Sequence, residues 1–359
     1  MASIVSSELC SARRASNLAA SFAFVSLAFL SYRYSPHTAR LRDAWHESLQ
    51  LTGNDALTLA YVLFGIGILF FYLRAPSHHE SRALSAVNAL LAIIRSPNVL
   101  IHGGLRAAER LGLLTVLLKG FFCPLMILYL CGSLASVLEN GAQLSHEASL
   151  PGSNFLHLFN AHGFWFLFQL TLLIDVGYFT VGYVVEHPAL GNEIRSVDPS
   201  WTGWAVTLAC YPPFNGITVK ILGGNVADFP QFGNPLIHLT LNGLLLFAMA
   251  VYASASVALK WKASNLTHRG IVSSGPYRYV RHPAYVAKNL AWWIASTPAF
   301  LSAAEHSWWN GLLVVGAAAA WSALYALRAL TEEDHLKSVD GEYASYCELV
   351  RFRFIPGVY

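Results

Sequence analysis

Apolar stretches long enough to cross a bilayer alternate with short polar loops along this chain. Charge-free or nearly charge-free segments run at about 15–32, 56–73, 120–138, 155–185, 201–222, 235–259, 284–303 and 307–327. A helical span needs about 20 mostly apolar residues. The pattern therefore predicts an all-α, polytopic membrane protein of about eight transmembrane helices. The region 77–118 interrupts it. There Leu84, Val87, Leu90, Leu91 and Ile94 are mixed with Arg82, Arg95, Arg106 and Arg110, as in helices that lie in a membrane interface. One or two helices on the cytoplasmic surface are expected.

Two segments carry signals that compete with a plain span. Segment 15–32 follows Arg13 and Arg14 in the manner of a signal peptide, but it has no evident small-x-small cleavage site and reads as a retained first span. Segment 201–222 contains Tyr211-Pro212-Pro213-Phe214-Asn215-Gly216, and paired prolines remove donors and break a helix. Broken helices at membrane depth persist where they are buried or line a cavity. A pocket wall and a simple kink are both open readings of this segment.

Composition agrees with the pattern. Only 12% of the 359 residues are charged and 55% are hydrophobic, with a mean hydropathy of +0.45; soluble domains carry about 25% charged residues. Lys and Arg in short loops set orientation. With the N-terminus in the cytoplasm, eighteen of the 23 Lys and Arg fall on the cytoplasmic side. The external loops then hold three, Arg33, Arg40 and Arg42, while 139–154, 223–234 and 304–306 hold none. Losing span 201–222 would put the basic loop 260–283 outside. The balance predicts eight spans, both termini cytoplasmic, in a bacterial inner membrane or a eukaryotic endomembrane. The basic residues form no single stripe, so no nucleic-acid partner is expected. Histidines such as His78, His79, His146, His157 and His238 show no ligand spacing, and no metal site is expected. The five cysteines form no CxxC pair.

Candidate chemistry gathers in the last hundred residues. Ser273-Ser274-Gly275-Pro276 is turn chemistry, and Pro283 suits the first position of a helix. Arg281 and His282 should therefore sit at a helix mouth, where free N–H groups and the positive dipole end favour an anion. Along that helix Tyr285, Lys288, Asn289 and Trp292 share one face; a polar stripe there should face protein or a cavity. Past the last span, Tyr325, Arg328, Glu332 and His335 share another face. Glu333 lies beside it, four residues before Lys337, and an ordinary i,i+4 salt bridge is the plain reading. Paired carboxylates opposite an Arg-His helix mouth would together suit a ligand bearing both charges. Asp175 is the single acidic residue inside a clearly apolar span; a functional site and a structural pairing with a partner such as Lys288 are both open.

The run GPYRYVRHPAY from Gly275, then a two-helix hairpin, then Glu332-Glu333 with Leu336, Gly341-x-Tyr343-x-x-Tyr346 and Ile355-Pro356, resembles the catalytic region of isoprenylcysteine carboxyl methyltransferases and the related phospholipid methyltransferases. The resemblance covers about 265–359. It implies an S-adenosylmethionine pocket at the cytoplasmic face and a lipophilic acceptor that enters from the lipid. Arg281, His282 and Tyr285 match the RHPxY element, Glu332 and Glu333 the paired carboxylates, and Tyr277 and Tyr279 the aromatic positions before them. Asn289 and Arg328 join these as cofactor-binding candidates, with Arg281, His282 and Glu333 as catalytic candidates. Ala287 stands where the family often has Gly. The chain then divides into a membrane region 1–234, with five spans and a candidate acceptor-binding part, and a methyltransferase-like region 235–359. A nicotinamide-dependent reductase of the sterol-reductase type shares this layout and is the alternative. A transporter would instead gather polar residues at mid-membrane.

Overall fold

The computed structural model describes residues 2–74, 80–99, 103–222 and 230–358. His78 and His79, and parts of the region 77–118 and of the loop 223–234 (77–79, 100–102 and 223–229), lie outside them. The chain forms two compact units, Met1–His46 with Gln50–Cys131, and Glu47–Leu49 with Gly132–Tyr359.

The first unit holds α1 (Ala2–Tyr34), α2 (Gly53–Arg74), α3 (Arg82–Arg95) and the opening of α4 (Ala107–Ala148), with a two-residue ribbon of β1 (Trp45–His46) and β2 (Leu51–Thr52). Residues 107–118 are the first turns of the 42-residue α4. Hydroxyls join the apolar helices: Tyr61 bonds Ser26 at 2.8 Å and stacks on Phe29, and Tyr72 bonds Ser21 at 3.1 Å. Two of the three arginines in 33–55 serve local structure. Arg42 Nη1 donates to the Tyr32, Arg33 and Ser35 carbonyls at the end of α1, where unpaired C=O groups and the negative dipole end attract a cation. Arg33 donates to Asn54 Oδ1 at 2.9 Å.

The second unit holds the rest of α4, then α5 (Phe155–Val184), α6 (Trp201–Leu208), α7 (Asn215–Leu222), α8 (Pro235–Leu259), α9 (Pro283–Ala295), α10 (Thr297–His306), α11 (Trp308–Val339) and α12 (Glu342–Leu349). The helix starts follow capping chemistry. Asn234 accepts from Leu236 and Ile237 ahead of Pro235, Ser200 caps α6, and Ser307 caps α11. Phe164 and Phe168 of α5, Leu245, Ala248 and Met249 of α8, and Ala291 and Ala295 of α9 form one buried core. The small residues let α9 lie close to α8, as in membrane helix packing.

Among the described residues six helices are long and apolar enough to span a bilayer: Ala12–Tyr34 within α1, then α2, α4, α5, α8 and α11. The other two stretches expected to be spans are both broken. In 201–222 the chain leaves helix after Leu208 and resumes at Asn215, with Pro212 and Pro213 unable to donate. In 284–303 the break falls at Ser296, just before Pro298. The Ser296 hydroxyl bonds back to the Trp292 carbonyl at 2.8 Å, a contact that bends helices.

Two loops that frame the site are tied together. β3 (Ser196–Val197) pairs antiparallel with β4 (Thr267–His268), in register Ser196 with His268 and Val197 with Thr267. Arg195 N–H and Asp198 N–H extend the ribbon to the His268 and Leu266 carbonyls. At the end of α5, Gly182 allows the loop after α8 to come very close, since a Cβ there would collide with the Ala263 carbonyl oxygen. Gly182→Ala should therefore force a backbone shift and lower stability by about 1–3 kcal/mol. A thermal melt in detergent checks this; an unchanged midpoint would mean that the loop yields freely.

Candidate active site

Glu333 has no exposed surface and sits under a set of cations. Arg353 grips it through two nitrogens, Nε to Oε1 at 2.9 Å and Nη2 to Oε2 at 3.0 Å. His282 Nε2 lies 3.1 Å from Oε1, and Lys337 Nζ donates to Oε2 at 3.3 Å. Arg281 Nε comes within 3.0 Å of Oε1 but obliquely, so that contact is electrostatic. Fork-to-carboxylate geometry of the Arg353 kind is the strong form of such pairs. The mouth of α9 is held from the backbone too: Arg281 N–H donates to the Phe352 carbonyl and His282 N–H to the Arg353 carbonyl. The helix mouth, the end of α11 and the segment after α12 thus close on one carboxylate.

Glu332 points the other way. Its carboxylate is half exposed, accepts from the Tyr285 hydroxyl at 2.9 Å and lies 3.9 Å from His282 Nδ1. The His282 and Tyr285 rings stack at 5.4 Å, nearly parallel. Beside them a cavity of about 150 Å³ opens. Tyr277, Arg281, His282, Tyr285, Arg328 and Glu332 all line it, together with Lys288, Asn265, Tyr211 and Tyr252. Of the other residues expected at the site, Glu333 braces the wall from behind, Tyr279 is 65% exposed on the surface, and Asn289 donates to the Tyr285 carbonyl at 2.8 Å. Ala287 is buried in the α9 face.

Arg328 is buried and lies over three rings, Tyr285 and Tyr325 at 5.1 Å and Tyr211 at 5.8 Å. Its Nη2 donates to Asn265 Oδ1 at 3.0 Å, while its Nε has no hydrogen-bond partner. A buried guanidinium N–H left over in a cavity wall is a donor awaiting an acceptor. Asn265 is fixed by the Tyr183 and Tyr211 hydroxyls, both accepting from its Nδ2. Tyr211 therefore belongs to the cavity wall, which gives the broken segment a place in the site. Lys288 Nζ sits among the rings of Trp292, Tyr252 and Tyr325 at 5.2–5.8 Å, near enough to act as cation–π contacts. At the rim, burial pushes the His268 imidazole below its ordinary pKa, opposed by Asp340, whose Oδ2 is 2.8 Å from Nε2. Burial likewise raises the Tyr277 phenol, which stays protonated across the physiological range.

The arrangement can hold a ligand of mixed charge: donors on Arg281, Arg328 and Lys288, one accepting carboxylate on Glu332, and ring faces between. A known family shares this stretch. The family model of the isoprenylcysteine carboxyl methyltransferase (ICMT) family matches residues 236–338. The C-terminal region is ICMT-like. The ICMT family consists of membrane methyltransferases, and the match favours methyl transfer over the reductase alternative. No curated protein and no solved structure matches the chain.

Arg353, Asn265 and Tyr252 were not singled out by sequence reasoning. Arg353 lies within FRFIP, two residues before the Ile355 of the resemblance, but nothing in its spacing links it to a carboxylate twenty positions earlier. Removing one partner of a buried ion pair leaves a charge uncompensated and costs about 3–5 kcal/mol. Glu333→Gln and Arg353→Ala should each lower stability on that scale, and the double variant should lose clearly less than the sum. Melting curves of the four proteins form the cycle; strict additivity would show that the two do not act as a pair.

Proposed function

We propose that the cavity binds S-adenosylmethionine and that the protein transfers its methyl group to a lipophilic acceptor at the cytoplasmic face. The supporting observation is an ICMT-like stretch whose Arg281, Tyr285, Arg328 and Glu332 meet in one cavity of mixed charge, with an unpartnered Arg328 N–H in its wall. That leftover donor and the half-exposed Glu332 carboxylate are what an amino-acid group attached to a nucleoside requires. S-adenosylmethionine supplies an electrophilic methyl group when bound.

Arg281 and Arg328 receive the carboxylate or ribose oxygens, and Glu332 receives the amino group or a ribose hydroxyl. The faces of Tyr277 and Tyr285 lie against positive charge or the adenine ring. His282 is held in orientation by Glu333 on one nitrogen and by stacking on Tyr285. Displacement at a methyl group needs alignment and exclusion of water more than acid–base chemistry, and the cation set around Glu333 fixes the wall for that alignment. Region 235–359 carries most of this machinery, and Phe179 and Tyr211 from the preceding region complete the cavity lining. Counting the broken segments 201–222 and 284–303 as crossings gives eight traversals with both termini in the cytoplasm, and the basic loop 260–283 then faces the cytoplasm.

S-adenosylmethionine should raise the melting temperature of the purified protein, and calorimetry should give saturable binding. Arg328→Ala and Glu332→Ala should each weaken that binding about tenfold or more, the size of a hydrogen bond to a charged group, with the unliganded melt nearly unchanged for exposed Glu332. Stabilisation by NADPH with none by S-adenosylmethionine would return the case to the reductase.

A further inference from the structure

Asp175 lies in the middle of α5 and is 7% exposed. Both of its oxygens are taken: Oδ2 accepts from the Tyr252 hydroxyl at 2.7 Å and Oδ1 from the Ser256 hydroxyl. Tyr252 and Ser256 are one turn apart on α8, and both line the cavity. Lys288 of α9 adds the opposing charge, its Nζ 5.7 Å from the centre of the Tyr252 ring. A tie between two helices needs no charge; a neutral amide or hydroxyl would serve at lower desolvation cost. An ionised carboxylate accepts only, so Tyr252 and Ser256 each spend their single proton on Asp175. What they present to the cavity is lone pairs.

Lone pairs on the wall, backed by a carboxylate, match a ligand group that carries its own proton. We propose that Tyr252 and Asp175 form a proton relay, and that the methyl acceptor reacts through an X–H group, an amine, hydroxyl or thiol, rather than through a carboxylate. This rests on the methyl-transfer reading of the cavity. The X–CH₃ bond forms as the sulfonium S–CH₃ bond breaks, and that bond's electron pair stays on sulfur as a neutral thioether. The X–H proton passes to the Tyr252 oxygen while the Tyr252 proton passes to Asp175, so one positive charge on sulfur is exchanged for one proton on the carboxylate. Tyr252 is the catalytic residue in this scheme. Asp175 acts through it.

The test uses the full-length protein in membranes, S-adenosylmethionine labelled in its methyl group, and a total lipid extract as acceptor source. Methylated product is then treated with alkali, which cleaves methyl esters to volatile methanol and leaves N-, O-ether and S-methyl groups intact. Label that resists alkali is the expected result. Label released as methanol overturns the relay and leaves methyl transfer standing. Absence of any label transfer counts against the methyl-transfer reading itself. Tyr252→Phe and Asp175→Asn should lower turnover about 10²-fold, the scale of general base catalysis, with donor KM changed less than about twofold. Asp175→Glu should restore part of the turnover. Equal turnover in all three variants overturns the relay, and the alkali result stands even where a variant fails to fold.

Discussion

A buried carboxylate must keep its cations, and Glu333 keeps several at once. Burying an isolated carboxylate is strongly unfavourable, and only close, well-oriented partners offset the lost hydration. The partners come from three places in the chain: Arg281 and His282 at the mouth of α9, Lys337 one turn further along α11, and Arg353 after α12. Moving the α9 mouth or the Arg353 segment away would strip the carboxylate of its buried partners. The wall of the cavity is therefore set by an electrostatic requirement as well as by apolar packing.

That requirement explains how the two neighbouring glutamates divide their work. Glu332 and Glu333 are adjacent on a helix, so their side chains diverge by about 100°. One turns into the cation set and is saturated; the other turns toward the cavity and keeps capacity to accept. Tyr285 links the two sides, stacking on the His282 that faces Glu333 and donating to Glu332. A rigid anion behind and an available one in front is an arrangement that positions a ligand without being consumed by it.

The helical membrane architecture was legible because hydropathy over twenty residues is a strong signal and depends on no distant contact. The helix mouth at Pro283 was legible for the same local reason. The breaks at 209–214 and at Ser296 were harder to read. Pro212-Pro213 announced the first, whereas the second depends on a serine bonding backward two residues before a proline, which hydropathy does not record. At the site, Arg281, His282, Tyr285, Arg328 and Glu332 were reached through helix periodicity and resemblance. Arg353 and Tyr252 were not, because their partners Glu333 and Asp175 are set by tertiary packing and no spacing rule connects them. Asp175 itself stood out as a charge in an apolar helix, yet its hydrogen-bond partners proved to be two hydroxyls on α8.

The cavity thus has two ends of different character. At the α11 end, leftover donors and a half-exposed carboxylate suit a polar, zwitterionic group. At the α8 end, hydroxyl lone pairs face inward and Lys288 is wrapped by aromatic rings, so the surface is apolar with a few oriented polar points. The Tyr325 ring links the two, with Arg328 5.1 Å and Lys288 5.8 Å from its centre. A cation near a phenol ring is drawn to the negative charge on its faces, so this one ring steadies a charged side chain toward each end of the cavity.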